Sequence, residues 1–222
     1  MNELTFIIHI IALVGFVFIA RRFGKEALAA CLAVQVILAN LFVMKQTTLF
    51  GLNVTCSDVY TVGSIFAMNL IQLHFGKKVA NKALNITFFL LFLVMVMSQF
   101  HLRYLPSKDD TMSPAFTAIL GSAPRIMITS FISAFLAQKL DIKLFGFIKN
   151  RFPKTSFFLP FALASLTTQF FDTALFSYGA LYGTIHNMRD IIVMSYTVKV
   201  LVIFGIAPFT LFVKKQVQHD PI

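Results

Sequence analysis

An all-α, polytopic transmembrane helical bundle of about seven spans (six or seven), with its N-terminus outside and its C-terminus cytoplasmic, is the fold predicted by this 222-residue sequence. Three observations predict it. Hydrophobic residues make up 58% of the chain and charged residues only 13%, against about 25% charged in soluble domains, and the mean hydropathy is +0.80. Seven apolar runs approach the ~20 residues that a helix needs to cross a bilayer. The basic residues alternate between the two sides of those runs. A soluble domain of this length could not bury 27 Phe, so soluble, disordered and disulfide-scaffold classes are excluded.

The first run, residues 4–20, is closed at once by Arg21 and Arg22. No Lys or Arg precedes it, so it reads as a retained helix rather than a cleaved signal peptide. The second, 27–44, carries Gln35 and Asn40. The third, 52–75, holds Thr61, Ser64, Asn69 and Gln72, and with the sixth it is the most polar. The fourth is 83–100, followed by an outer loop at 101–114 with Pro106, Asp109 and Asp110. The fifth, 115–138, contains Pro124, whose missing N–H frees a carbonyl and can break a helix. An inner loop at 139–156 precedes the sixth, 157–178. The seventh, 191–213, contains Pro208.

Charge counting supports this division. Loops one, three and five and the C-terminal tail hold 13 of the 19 Lys and Arg. The opposite side holds only Lys45, Arg103, Lys108 and Arg189, with Arg125 and Lys199 inside spans. The excess marks the cytoplasmic side, so the net charge of +10 reflects membrane orientation and not nucleic acid. Residues 1–222 read as one membrane domain. Phe-Gly-Lys occurs at 23–25 and again at 75–77; Gly ends helices and Lys favours their C-termini, so the recurrence reads as stop chemistry rather than a duplicated unit.

A charge at the bilayer centre costs roughly 2.5–3.5 kcal/mol on insertion scales, so such residues must be paired or wet. Three lie well within spans: Arg125, Asp172 and Lys199. By rise per residue they fall within about one helical turn of a common depth, which makes pairing feasible. Each has polar company on its own face. Arg125, Thr129 and Ser133 follow one another on the fifth span, with Ser130 and Gln138 adjoining. Ser165, Gln169 and Asp172 do so on the sixth, and Ser195 and Lys199 on the seventh. Three inward polar stripes suit a polar cavity at mid-membrane; structural salt bridges and helix-packing hydroxyls are the other reading of the same residues. Amides such as Asn40 and Asn69 donate and accept at once and suit a heterocyclic ligand.

No phosphate loop, no Gly-x-Ser-x-Gly and no His ligand pair occurs, so no metal or cofactor is expected and an enzyme is disfavoured. Cys31 and Cys56 show no metal-ligand spacing, and a bond between them has no support in the sequence.

The stretch Pro124-Arg125-Ile126, Ser130, Ser133 to Asp141, and then Gln169-Phe170-Phe171-Asp172-Thr173, resembles the queuosine precursor transporter family (vitamin-uptake-transporter-like). Asn40 with Lys45, the run Gly63-Ser64-Ile65-Phe66-Ala67, Phe75-Gly76-Lys77-Lys78, Tyr196, Lys199 and Pro208 extend the similarity over nearly the whole chain. That family takes up 7-deazaguanine bases for tRNA modification. The resemblance implies a multi-pass carrier of the bacterial plasma (inner) membrane that imports a deazaguanine by alternating access. Its partners would be that small molecule and the lipid bilayer, without nucleic acid, and self-association is compatible. The implied substrate-binding residues are Asn40, Asn69, Arg125, Ser130, Gln138, Gln169, Asp172 and Lys199. Asp172 would accept two N–H groups of a guanine-like edge, and Arg125 and Lys199 would keep it ionised when the site is empty. Where the family shows an Asp and a Glu four residues apart, this chain has Asn69 and Leu73. The alternative is a substrate-binding membrane subunit of an ATP-driven uptake system.

Overall fold

The computed structural model describes residues 1–43, 45–55, 57–121, 124–181, 188–206 and 208–209, with the side chains of 46, 52–55, 124–127, 181, 188–191 and 194 outside the description. The described secondary structure is helical apart from one small hairpin. Its order is α1 (Asn2–Arg22), α2 (Lys25–Phe42), β1 (Gln46–Leu49), β2 (Leu52–Thr55), α3 (Ser57–Arg103), α4 (Ser113–Leu120), α5 (Pro124–Arg151), α6 (Phe158–Phe176), a π-turn at Ser177–Leu181, and α7 (Met188–Ile206). Among the described residues, α1, α2 and α3 are long and apolar enough to cross a membrane.

The Phe-Gly-Lys recurrence marks the same backbone event twice. Gly24, between α1 and α2, has φ 104° and ψ −172°. Gly76, inside α3, has φ 84° and ψ 165°. Both lie in a region that only glycine enters readily, and both separate two apolar helices. At 47 residues, α3 would be about 70 Å long if straight, twice the hydrocarbon thickness; the break at Gly76 divides it into 57–75 and 77–103. Replacing Gly76 by Ala is expected to cost about 1–3 kcal/mol, seen as a lowered thermal midpoint in detergent, and Gly24→Ala should behave alike. An unchanged midpoint would mean that neither turn needs its glycine.

Four sequence expectations are corrected. The third apolar run begins as a strand, because residues 52–55 pair with 46–49 in an antiparallel hairpin. Its two-residue loop, Phe50-Gly51, has positive φ at both positions, the geometry that matches strand twist. Asn2 ties the hairpin to α1 by donating to Thr47 Oγ1 and the Thr48 carbonyl. The third and fourth runs are two helices, as expected, but the loop expected at 76–82 is reduced to the break at Gly76, and residues 77–82 already belong to the second helix. The fifth run is not continuous: α4 ends at Leu120, Gly121 leaves helical geometry, and α5 begins at Pro124, where a missing N–H costs nothing. The inner loop at 139–156 is mostly the last turns of α5, which run to Arg151. Asp141, Ile142 and Phe145 are buried there while Lys143 and Phe147 face out. Charge density lowers hydropathy in this stretch, but helical periodicity continues through it. On α7, Pro208 lies past the helix end, as expected of a residue that cannot continue it.

The first half of α3 is the hub. From Ser57 to Gln72 every residue is buried except Tyr60 and Thr61, which are half-buried. It packs against α1, α2, α5, α6 and α7. Phe66 on α3 meets Phe161 at 5.5 Å and Phe157 at 6.0 Å between ring centroids, mostly edge to face, and Phe145 of α5 joins at 5.6 Å from Phe157. Such pairs add about 0.5–1.5 kcal/mol each beyond area burial. Phe16, Phe89, Phe92, Phe170 and Phe204 point outward, an apolar exterior suited to acyl chains.

Candidate functional site

Three buried charges meet where α3 starts, α6 ends and α7 passes. Lys199 of α7 donates from Nζ to Oδ2 of Asp172 on α6 at 2.7 Å. The same Nζ lies 3.9 Å from Oδ1 of Asp58 in the first turn of α3. All three residues are 8% exposed or less. Asp58 occupies a helix N-terminus, where the backbone dipole favours an anion, and α6 and α7 each bring one charge from an otherwise apolar helix. Two carboxylates against one ammonium leave a formal charge of −1.

A second polar group joins α3, α5 and α6. Asp141 of α5 is fully buried, and Thr168 of α6 donates to its Oδ1 at 3.2 Å. Asn69 of α3, also fully buried, adjoins that carboxylate. Neither polar atom of the Asn69 amide and no donor for Asp141 Oδ2 completes a hydrogen bond among the described residues. Close by in sequence, Gln138 of α5 is buried with a long contact, 3.5 Å, from Nε2 to Ser64 Oγ on α3. The Oε1 atoms of Gln138 and Gln169 and the Oγ of Ser165 likewise have no partner among the described residues. Buried polar atoms are nearly always paired with protein or water, so the open valences of Gln138, Ser165 and Gln169 on α5 and α6, with those of Asn69 on α3, describe a site built to take up something polar.

A third pair lies farther along the bundle. Ser130 of α5 donates to Oδ1 of Asn40 on α2 at 2.7 Å, while the Asn40 amide donates to the Val36 carbonyl at 2.9 Å. Both residues line a small cavity of about 50 Å³ with Met95, Leu120 and Phe176. Phe176 lies one helical turn beyond Asp172 on α6, followed by the π-turn, a feature frequent at functional sites. Gly179 in that turn packs closely on Thr129 of α5.

Of the eight residues named from the sequence, the structure joins Asp172 to Lys199 and Asn40 to Ser130. Asn69, Gln138 and Gln169 are buried on the helices that carry the unpartnered polar atoms. Arg125 lies in the first turn of α5, and its side chain falls outside the described residues. Asp58 escaped the sequence reading, and Asp141 entered it only as part of the stretch that carries the family resemblance, not as a binding residue. Asp58 is a fourth charge inside the third apolar run, visible to the same count that found the other three. Asp141 is hidden by the assignment of 139–156 to a loop, although Gln-x-x-Asp recurs at 138–141 and 169–172, a spacing that puts amide and carboxylate on one helix face.

A family model described as putative vitamin uptake transporter matches residues 55–213. The chain is also similar to the "Probable queuosine precursor transporter" of Bacillus subtilis (strain 168), with 28% identity over 217 residues that cover 96% of this chain and 93% of that protein. No solved structure matches.

Proposed function

Because this chain belongs to the putative vitamin uptake transporter family, we propose that it is a multi-pass carrier importing a queuosine precursor, a 7-deazaguanine base, across a bacterial inner membrane. With α3 counted as two crossings divided at Gly76, the long helical segments among the described residues number seven, and the excess of Lys and Arg supports an outer N-terminus and a cytoplasmic C-terminus. The similarity to a protein named as a queuosine precursor transporter supports the substrate class.

The observation that carries this reading is Lys199 held between two buried carboxylates, 2.7 Å from Asp172 and 3.9 Å from Asp58. A deazaguanine presents adjacent N–H donors and a lactam carbonyl. Asp172 accepts two of those donors, and Lys199, released from it, stays neutralised by Asp58 without crossing more than a short gap. The charge balance of the pocket is thus the same empty and loaded, which avoids the several kcal/mol cost of stranding a buried ion. Gln169, Gln138 and Asn69 supply the donors and acceptors that discriminate the rest of the ring edge. Asn40, Ser130 and Phe176 line the approach from the outer end. The departure from helical geometry at Gly121 and the π-turn after α6 lie at the outer ends of α5 and α6, where interrupted helices suit a carrier.

In a bacterial strain unable to synthesise queuosine precursors, expression of this chain with added precursor is expected to restore queuosine in tRNA, measured by nucleoside mass spectrometry. Absence of restoration by membrane-inserted protein would sink the reading. Restoration in cells, with uptake by the purified chain in liposomes only when an ATPase co-purifies, would favour the ATP-driven subunit instead.

A further inference from the structure

Among the described residues, Asp141 has no part in the Lys199 cluster and no counter-ion. Among the described residues, the groups that act on it are Asn69 of α3 and Thr168 of α6, both neutral. No charged or titratable side chain of the surrounding helices pairs with it among the described residues. On its own helix, Lys139 donates to Asn81 and covers the Phe135 ring, and Lys143 faces outward. On α6 and α7, Asp172 and Lys199 hold each other, with Asp58 of α3 beside them. His74 of α3 is buried, with no hydrogen bond to either ring nitrogen among the described residues. An ionised carboxylate here would be an uncompensated charge in the protein interior, which proteins avoid by neutralising the group.

The two neighbours are matched to both forms of the acid. Protonated on Oδ2, Asp141 becomes a donor, and the Asn69 carbonyl is an open acceptor for it. Ionised, it needs donors, and the same amide turned over supplies its NH₂. Thr168 has the same freedom. Its hydroxyl lies 3.2 Å from Asp141 Oδ1 but also 2.9 Å from the Ala164 carbonyl, so its proton can serve either acceptor. A metal cation is a poorer occupant, since among the described residues no group of three or more His, Cys, Asp or Glu able to hold one occurs and no second carboxylate adjoins Asp141.

We infer that Asp141 is a proton-binding site, separate from the Lys199 cluster, with Asn69 and Thr168 as its positioning residues, and that its loading and release couple transport to the proton gradient. The coupling role rests on the carrier reading; the proton-binding site does not. One proton adds to Oδ2 when the site opens outward and leaves when it opens inward, with full burial keeping it in place between.

Infrared difference spectroscopy of the full chain in lipid nanodiscs tests the site without any substrate. The wild type is expected to show the carbonyl stretch of a protonated buried carboxyl. Asp141→Asn, which copies the shape of the protonated acid, should remove that band, and Asp172→Asn should keep it. Thr168→Val should move it to higher wavenumber, since Oδ1 loses its hydrogen bond. No such band in the wild type, or one indifferent to Asp141→Asn and Thr168→Val, overturns the site. In vesicles, Asp141→Asn should lose at least tenfold of precursor accumulation driven by a pH gradient while exchange of labelled for unlabelled precursor stays within twofold. Accumulation equal to wild type, or insensitive to a protonophore, overturns the coupling. If the band behaves as expected but wild-type vesicles move no precursor, the carrier reading fails and the proton site stands.

Discussion

Asp172→Asn is expected to reduce precursor uptake by about 100-fold or more while leaving the amount of folded protein close to wild type. A carboxylate accepts two N–H bonds in parallel; an amide offers one acceptor and sets its NH₂ against the second donor. Hydrogen bonds to charged groups contribute about 1.5–3 kcal/mol each, and 1.4 kcal/mol is a factor of ten, so losing one and opposing another reaches that range. Folding should survive because Lys199 keeps Asp58 as a counter-ion at 3.9 Å, and the cluster passes from a formal −1 to neutral. Initial rates of labelled-precursor uptake, normalised to membrane-inserted protein, decide it. Uptake within threefold of wild type would remove Asp172 from the binding site.

Lys199→Met is expected to have the opposite signature, a folding defect first. It leaves Asp58 and Asp172, both under 10% exposed, facing each other with no cation among the described residues. Removing one partner of a buried ionic group typically costs about 3–5 kcal/mol, a large part of the stability of a small protein. The measurements are the thermal midpoint in detergent and the yield from membranes. The triple variant Asp58→Asn, Asp172→Asn, Lys199→Met removes every charge of the cluster and should regain much of the lost stability without regaining uptake. Lys199→Met with wild-type stability, or a triple variant no more stable than the single one, would show that the three groups do not act as one electrostatic unit.

Together the pair separates two roles that the same residues could play. A purely structural salt bridge predicts that both substitutions lower stability and that uptake follows protein level. A binding role for Asp172 predicts lost uptake at normal protein level, because Asp58 stands ready to receive Lys199.

Composition, apolar runs and alternating basic residues made the all-helical, membrane-type architecture legible, since the bilayer imposes length and polarity rules on each helix separately. Helix positions followed for α1, α2, α6 and much of α7. The misplacements have one cause. Hydropathy reports whether a segment is apolar, not whether its backbone is helical, so residues 52–55 could belong to a strand and 139–151 to a helix without a change in the signal. The Phe-Gly-Lys recurrence shows the converse: a local motif did encode a backbone turn, twice, because only glycine enters that region of φ and ψ cheaply.

The sequence by itself determined that charged residues lie where charge is expensive, and Asp172 and Lys199 were visible for that reason. Which charge pairs with which was decided only in three dimensions. Asp58 and Lys199 are 141 positions apart and meet because α3 and α7 pack together, and Asp141 has no charged partner among the described residues because the nearby lysines turn outward or find other partners. Pairing depends on helix rotation and on which neighbours share a face, and those are settled by the packing of whole surfaces that no single segment encodes.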